Sequence, residues 1–113
     1  FALRNIGGKD SVEALAAAFD SKSALLKHEI AYVMGQMQDA HAVPFLISRL
    51  SDNEEDVMVR HEAAEALGAI GDRTALSTLE KYVNDEEIVV AESCEVALDL
   101  LEWVASKNLE YSE

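Results

Sequence analysis

Ten residues of this sequence recur almost in place. Leu26-Lys27-His28-Glu29-Ile30-Ala31-Tyr32-Val33-Met34-Gly35 aligns without a gap with Val59-Arg60-His61-Glu62-Ala63-Ala64-Glu65-Ala66-Leu67-Gly68, 33 residues later. Such a period constrains the fold more than any composition, because each copy is one supersecondary unit that buries its apolar face only against its neighbours. A weaker third copy follows: Val90-Ala91-Glu92-Ser93-Cys94-Glu95-Val96-Ala97-Leu98-Asp99. A fragment of a preceding copy opens the chain, where Ala2-Leu3-Arg4-Asn5-Ile6-Gly7 resembles Ala66-Leu67-Gly68-Ala69-Ile70-Gly71. The first residue is Phe1, with no initiator methionine, so the expectation is a chain that begins in mid-helix with residues missing upstream.

The copies read as helix pairs. First helices are predicted over about 10–19, 40–50 and 73–83, and second helices over about 23–37, 56–70 and 86–105. Leu26, Ile30, Val33 and Met37 fall at helical spacing. Gly71-Asp72 ends one helix and begins the next, because glycine accepts the left-handed C-terminal position and aspartate caps N-termini. Pro44 falls in a first turn, where a missing N–H costs little. Helix pairs at this period stack into an all-α solenoid, a single domain over 1–113 with an incomplete repeat at 1–8. Ala31 and Gly35 match Ala64 and Gly68, four residues apart on one helical face, where small residues admit a neighbouring backbone.

Composition excludes several classes. With 113 residues and a net charge of −13, the chain repels nucleic-acid phosphate and anionic lipid, and attracts cations. The charge also serves simply to solvate a surface. No apolar run is long enough for a membrane helix. The lone Cys94 rules out an internal disulfide and fits a reducing compartment, with a cytoplasmic location expected. Cys94 reads as a small buried residue and His41 as a surface one.

His28-Glu29 and His61-Glu62 are the chemically informative residues. Equivalent positions in successive second helices point the same way, and packed helices lie roughly 8–10 Å apart, a gap two imidazoles can close around one metal ion. The Glu62 carboxylate next to His61 would complete a set of two histidines and one carboxylate. Ferrous iron suits that set, and zinc accepts it too. Against this, repeats copy residues, so a duplicated His-Glu can be inheritance without a task. The third copy has Glu92-Ser93 at the same place, so the pair is not required for packing. Glu65, Glu95 and Asp99 share a side by helical spacing. A solvated face accounts for the last two, and Glu65 stays open.

Taken together, Ser23-Ala24-Leu25-Leu26-Lys27-His28-Glu29, Gly35-Gln36-Met37-Gln38, residues 58–70 and Glu92-Ser93-Cys94-Glu95-Val96-Ala97-Leu98 resemble the deoxyhypusine hydroxylase family, over nearly the whole chain. That resemblance implies a HEAT-type solenoid and a non-haem iron monooxygenase. The family enzyme has two halves with four His-Glu motifs and a di-iron Fe(2+) centre between them. This chain carries two motifs, and its ends look like the C-terminal half. The resemblance further implies His28, His61 and Glu62 as ligands to one iron, with Glu29 facing the cleft at the catalytic site to bind substrate. The implied substrate is the deoxyhypusine residue of a translation initiation factor, converted to hypusine. Its flexible polycationic side chain suits an acidic groove, to which Glu65 is a further candidate contributor. A second half, or a second copy of the chain, is the implied partner. Two other readings remain at this point: a HEAT-repeat binding scaffold without catalysis, as in phycobilin lyase subunits, and a metal store.

Overall fold

A computed structural model describes the backbone of residues 8–112 and the side chains of residues 8–107. The opening repeat fragment, with the apolar face expected at Phe1, Leu3 and Ile6, lies outside the described residues. Six α-helices follow in order: α1 (Gly8–Ala17), α2 (Ala24–Met37), α3 (Val43–Ser51), α4 (Val57–Ile70), α5 (Leu76–Tyr82) and α6 (Ile88–Ser112). Short 3-10 turns sit at Ala18–Asp20, Ala40–Ala42 and Arg73–Ala75. No strand occurs among the described residues. The first helices are therefore shorter than their apolar patterns, each borrowing a 3-10 turn at one end. Conversely, α6 runs past residue 105, because nothing after Trp103 breaks a helix: Val104-Ala105-Ser106-Lys107 holds neither glycine nor proline.

Local chemistry sets the boundaries. Ser23 caps α2 by accepting the Leu26 N–H at 3.1 Å, and Asp56 caps α4 by accepting from Met58 at 2.8 Å. Gly71 closes α4 with φ +74°, the left-handed conformation glycine adopts without strain. Its counterpart Gln38 closes α2 with φ +53°. The Gln38 side-chain amide donates to the carbonyl of Ala69 at 3.1 Å, tying one repeat's end to the next. Asp39 and Asp72 each cap the following 3-10 turn, accepting from His41 and Thr74 at 2.9 Å. Asp39 also takes the His41 ring nitrogen at 2.8 Å, which holds that exposed histidine at the surface as expected. Backbone N–H donation from His41 first, then the ring, keeps the Asp39 carboxyl below the usual carboxylate range despite some burial.

The second helices α2, α4 and α6 stack side by side in one layer, with α4 packed against both neighbours; α3 and α5 back them on the other side. Met34, Leu46, Leu50, Leu67, Leu79 and Leu101 are fully buried between the layers. Leu26 departs from its apolar pattern and is 45% exposed. No described helix is long and apolar enough to cross a membrane.

The glycines explain the close stacking. A Cβ on Gly35 would stand 3.1 Å from both Cα and Cβ of Ala66, and one on Gly68 would stand 3.0 Å from both Cα and Cβ of Ala97. Each glycine thus receives the backbone of the next second helix. Because backbone cannot swing aside as a side chain can, Gly68→Val should destabilise the chain by about 1–3 kcal/mol through overpacking. Urea unfolding followed by circular dichroism measures this, and a change under about 0.5 kcal/mol would show that α4 and α6 separate freely.

Candidate metal centre

The close approach of the second helices brings the His-Glu motifs into contact across repeats. His28 lies in the second turn of α2, and its Nε2 is 3.0 Å from Glu62 Oε2 on α4. His61, also on α4, has its Nε2 at 2.9 Å from Glu65 Oε1, one helical turn further along the same face. His61, Glu62 and Glu65 each offer one ligand atom, and these atoms lie within 4.8 Å of one another. Among the described residues this is the single group of three with such proximity. Glu29 points outward, 61% exposed, with a carboxylate oxygen 4.0 Å from His28 Nδ1.

Glu62 is the unusual member. Its side chain is only 10% exposed. Burial, and next the charge of Glu65, push its carboxyl above the usual carboxylate range, against the pull of His28 and His61. Among the described residues, no lysine or arginine pairs with it. A buried carboxylate crowded by a second carboxylate, with two imidazoles beside it, attracts a cation. His61, Glu62 and Glu65 therefore fit a divalent metal with nitrogen and oxygen ligands.

A second set of charges lies on the two residues that precede the histidines. Lys27 donates to Glu55 at 2.7 Å, and Arg49 donates to the other oxygen of that carboxylate at 3.0 Å. Arg60 reaches Asp85 through both terminal nitrogens, at 3.1 and 2.7 Å, and donates from Nε to the carbonyl of Leu50 at 3.0 Å. In each case the cation before the histidine is clamped to the loop that leads into the next second helix. Burial raises the Glu55 carboxyl, but the hydrogen bonds from Lys27, the Asp56 N–H and Arg49 outweigh it and hold the group low. The Arg60 hydrogen bonds likewise hold Asp85 low. Cys94 is fully buried, and burial pushes its thiol up to about 11, so it is no nucleophile.

Of the residues expected from sequence, His61 and Glu62 come together and Glu65 joins them; His28 touches Glu62 but stands outside that group of three, and Glu29 is exposed beside His28. Glu95 and Asp99 are exposed. Three contributors escaped the sequence reading: Ser93, which hydrogen-bonds His61 Nδ1, and the Arg60–Asp85 and Lys27–Glu55 clamps. The signal for Ser93 was present, since it occupies the glutamate position of the third copy.

A family model for HEAT repeats matches residues 12–99. The chain belongs to the HEAT-repeat family. Among its relatives, this HEAT-repeat chain is 53% identical over 106 residues to a deoxyhypusine hydroxylase of Drosophila pseudoobscura pseudoobscura, covering 94% of this chain and 35% of that protein. It is 53% identical over 104 residues to the human deoxyhypusine hydroxylase, covering 92% of this chain and 34% of that one. To the mouse protein of the same name it is 50% identical over its full length, covering 37% of that relative. The solved structure of human deoxyhypusine hydroxylase in complex with glycerol superposes with a TM-score of 0.92 at 51% identity, covering 96% of this chain and 38% of that one. The HEAT-repeat chain thus spans about a third of the length of the relatives it matches, and the resemblance seen in its motifs extends to the backbone.

Proposed function

We propose that this chain is one half of a non-haem iron hydroxylase that converts the deoxyhypusine residue of a translation initiation factor to hypusine. The observation that carries this reading is the buried Glu62 carboxylate within reach of both His28 and His61. It occurs in a chain about half identical to deoxyhypusine hydroxylases.

His28, His61 and Glu62 would hold one ferrous ion, and a second half, or a second copy, would supply the ligands of another. When bound, the iron pair supplies the activation of oxygen that no side chain provides. The chain's own residues do the rest. A ligating nitrogen has no hydrogen to share, so occupation of His61 Nε2 frees Glu65 from the contact it makes there. Glu65 and Glu29, 51% and 61% exposed, then face the site as carboxylates able to take the ammonium groups of a polyamine-like side chain. The net charge of −13 draws such a substrate in. Because Glu62 is readily protonated in its buried place, metal entry and proton release are linked. Gel filtration of the metal-loaded chain separates a lone half from a dimer. A free buried thiol fits a cytoplasmic setting.

Iron bound per chain after anaerobic loading tests the proposal. The natural sequence should retain ferrous ion through desalting, and His61→Ala should not. Retention by neither would return the chain to a binding scaffold, and equal retention by both would place the metal elsewhere.

A further inference from the structure

The contact between His61 and Ser93 is one rung of a ladder that crosses the repeats. The histidine of one second helix touches the residue at the glutamate position of the next. His28 of α2 meets Glu62 of α4, and His61 of α4 meets Ser93 of α6. The chemistry of the two rungs differs. Glu62 offers a charged carboxylate to His28 Nε2, whereas Ser93 offers a neutral hydroxyl to His61 Nδ1.

That hydroxyl has one hydrogen, and the geometry shows where it goes. Ser93 Oγ lies 2.6 Å from the carbonyl oxygen of Val89, one turn earlier in α6, which can only accept. With its hydrogen given to Val89, Ser93 has only lone pairs left for His61. The hydrogen in the His61–Ser93 contact must therefore sit on His61 Nδ1. Ser93 is 6% exposed, so water does not readily replace it.

We infer that Ser93 is a positioning residue that holds a hydrogen on His61 Nδ1, so that Nε2, whose acceptor in the empty site is the Glu65 carboxylate, is the nitrogen a metal takes when it displaces Glu65. The inference rests on the iron-site reading for its consequence, not for its geometry. Ring nitrogens away from a metal commonly donate to a carbonyl or carboxylate. Here a backbone carbonyl does this at one remove, through a hydroxyl that relays its acceptor character. A serine serves this rung better than a glutamate would. A carboxylate at 93 would put a further negative charge beside Glu62 and Glu65, and could bind the metal itself. The third repeat thus departs from the His-Glu pattern where the ladder needs an end.

The test combines two readouts on the full chain. In the metal-free protein with nitrogen-15-labelled histidine at pH 8, carrying Glu65→Ala to remove the acceptor at Nε2, long-range proton–nitrogen correlation spectra report which His61 nitrogen carries the hydrogen. That background should show Nδ1–H, and adding Ser93→Ala should move the population toward Nε2–H. Titration with zinc, a diamagnetic stand-in for the ferrous ion, should show Ser93→Ala binding about 10–100-fold more weakly. Ser93→Thr keeps a hydroxyl that can donate to Val89 and accept from His61, and should restore both readouts. Nε2–H in the Glu65→Ala background, or an unchanged tautomer when Ser93→Ala is added to it, would overturn the inference. If no chain binds zinc, the iron-site proposal fails, while the tautomer spectra still decide the role of Ser93.

Discussion

Asp85→Ala should lower the unfolding free energy by about 3–5 kcal/mol, a large fraction of what a domain this size possesses. The Arg60 side chain is 3% exposed, and Asp85 is its only charged partner among the described contacts. Removing the carboxylate leaves a guanidinium that can neither shed its charge nor reach water, with the carbonyl of Leu50 as its sole remaining acceptor in this set. Removing both partners is a different experiment. Arg60→Met combined with Asp85→Leu should recover most of the loss, since a buried pair replaced by apolar groups of similar volume is often neutral. Thermal unfolding should show the single variant's Tm lower by more than about 10 °C. A drop of a degree or two would mean that the clamp is solvated and does not fasten α4 to the loop before α6.

The same clamp governs the acid limb of stability. Asp85 and Glu55 are held below the usual carboxylate range in the folded chain. Each therefore contributes stability that is fully present above its unfolded pKa, near pH 4, and is lost as pH falls through its lower folded value. Asp85→Asn, which keeps the shape and loses the charge, should flatten part of that acid limb. Glu62 has the opposite sign. Its folded pKa is raised, so its contribution is present below its unfolded value and is lost as pH rises through the folded one.

The parts of this fold that were legible in the sequence are those with local causes. Gly71-Asp72 marked a helix end and start because φ +74° and an aspartate cap are properties of those two residues. Pro44 marked a first turn for the same kind of reason. Gly35 and Gly68 were legible as points of close approach, since two helical glycines at matching places need an offsetting contact, and Ala66 and Ala97 provide it. His28 and His61 stood out because repetition placed them in register. The rest depends on partners set by tertiary stacking. Nothing in the sequence singles out Arg60; only the fold brings Asp85, 25 residues on, against it. Ser93 looked like a lapse from the motif until the stacking of α6 on α4 set it against His61. Leu26 misled, because helical spacing marks a stripe but not which of its members a neighbouring helix covers.

Glu62→Gln should separate what the site costs from what it does. In the metal-free chain at pH 7 the substitution removes a carboxylate that burial and Glu65 both disfavour, and keeps an amide able to hydrogen-bond His28 Nε2. The variant should therefore be more stable than the natural chain without metal. The difference should shrink as pH falls, because the natural carboxyl is then protonated too. Metal should reverse the order. Ferrous ion at about a hundred times its Kd should stabilise the natural chain by about 2.7 kcal/mol, and the variant, lacking the one buried anionic ligand, should gain little. Anaerobic thermal unfolding with and without iron reads both effects in one experiment. A metal-free variant that is less stable at pH 7 would make the His28–Glu62 contact a packing device. A variant still stabilised by iron like the natural chain would move the ligand role to Glu65. The predicted crossing of the two stabilities is what distinguishes a functional site from a structural one: the group is unfavourable in the empty fold because it is kept for its ligand.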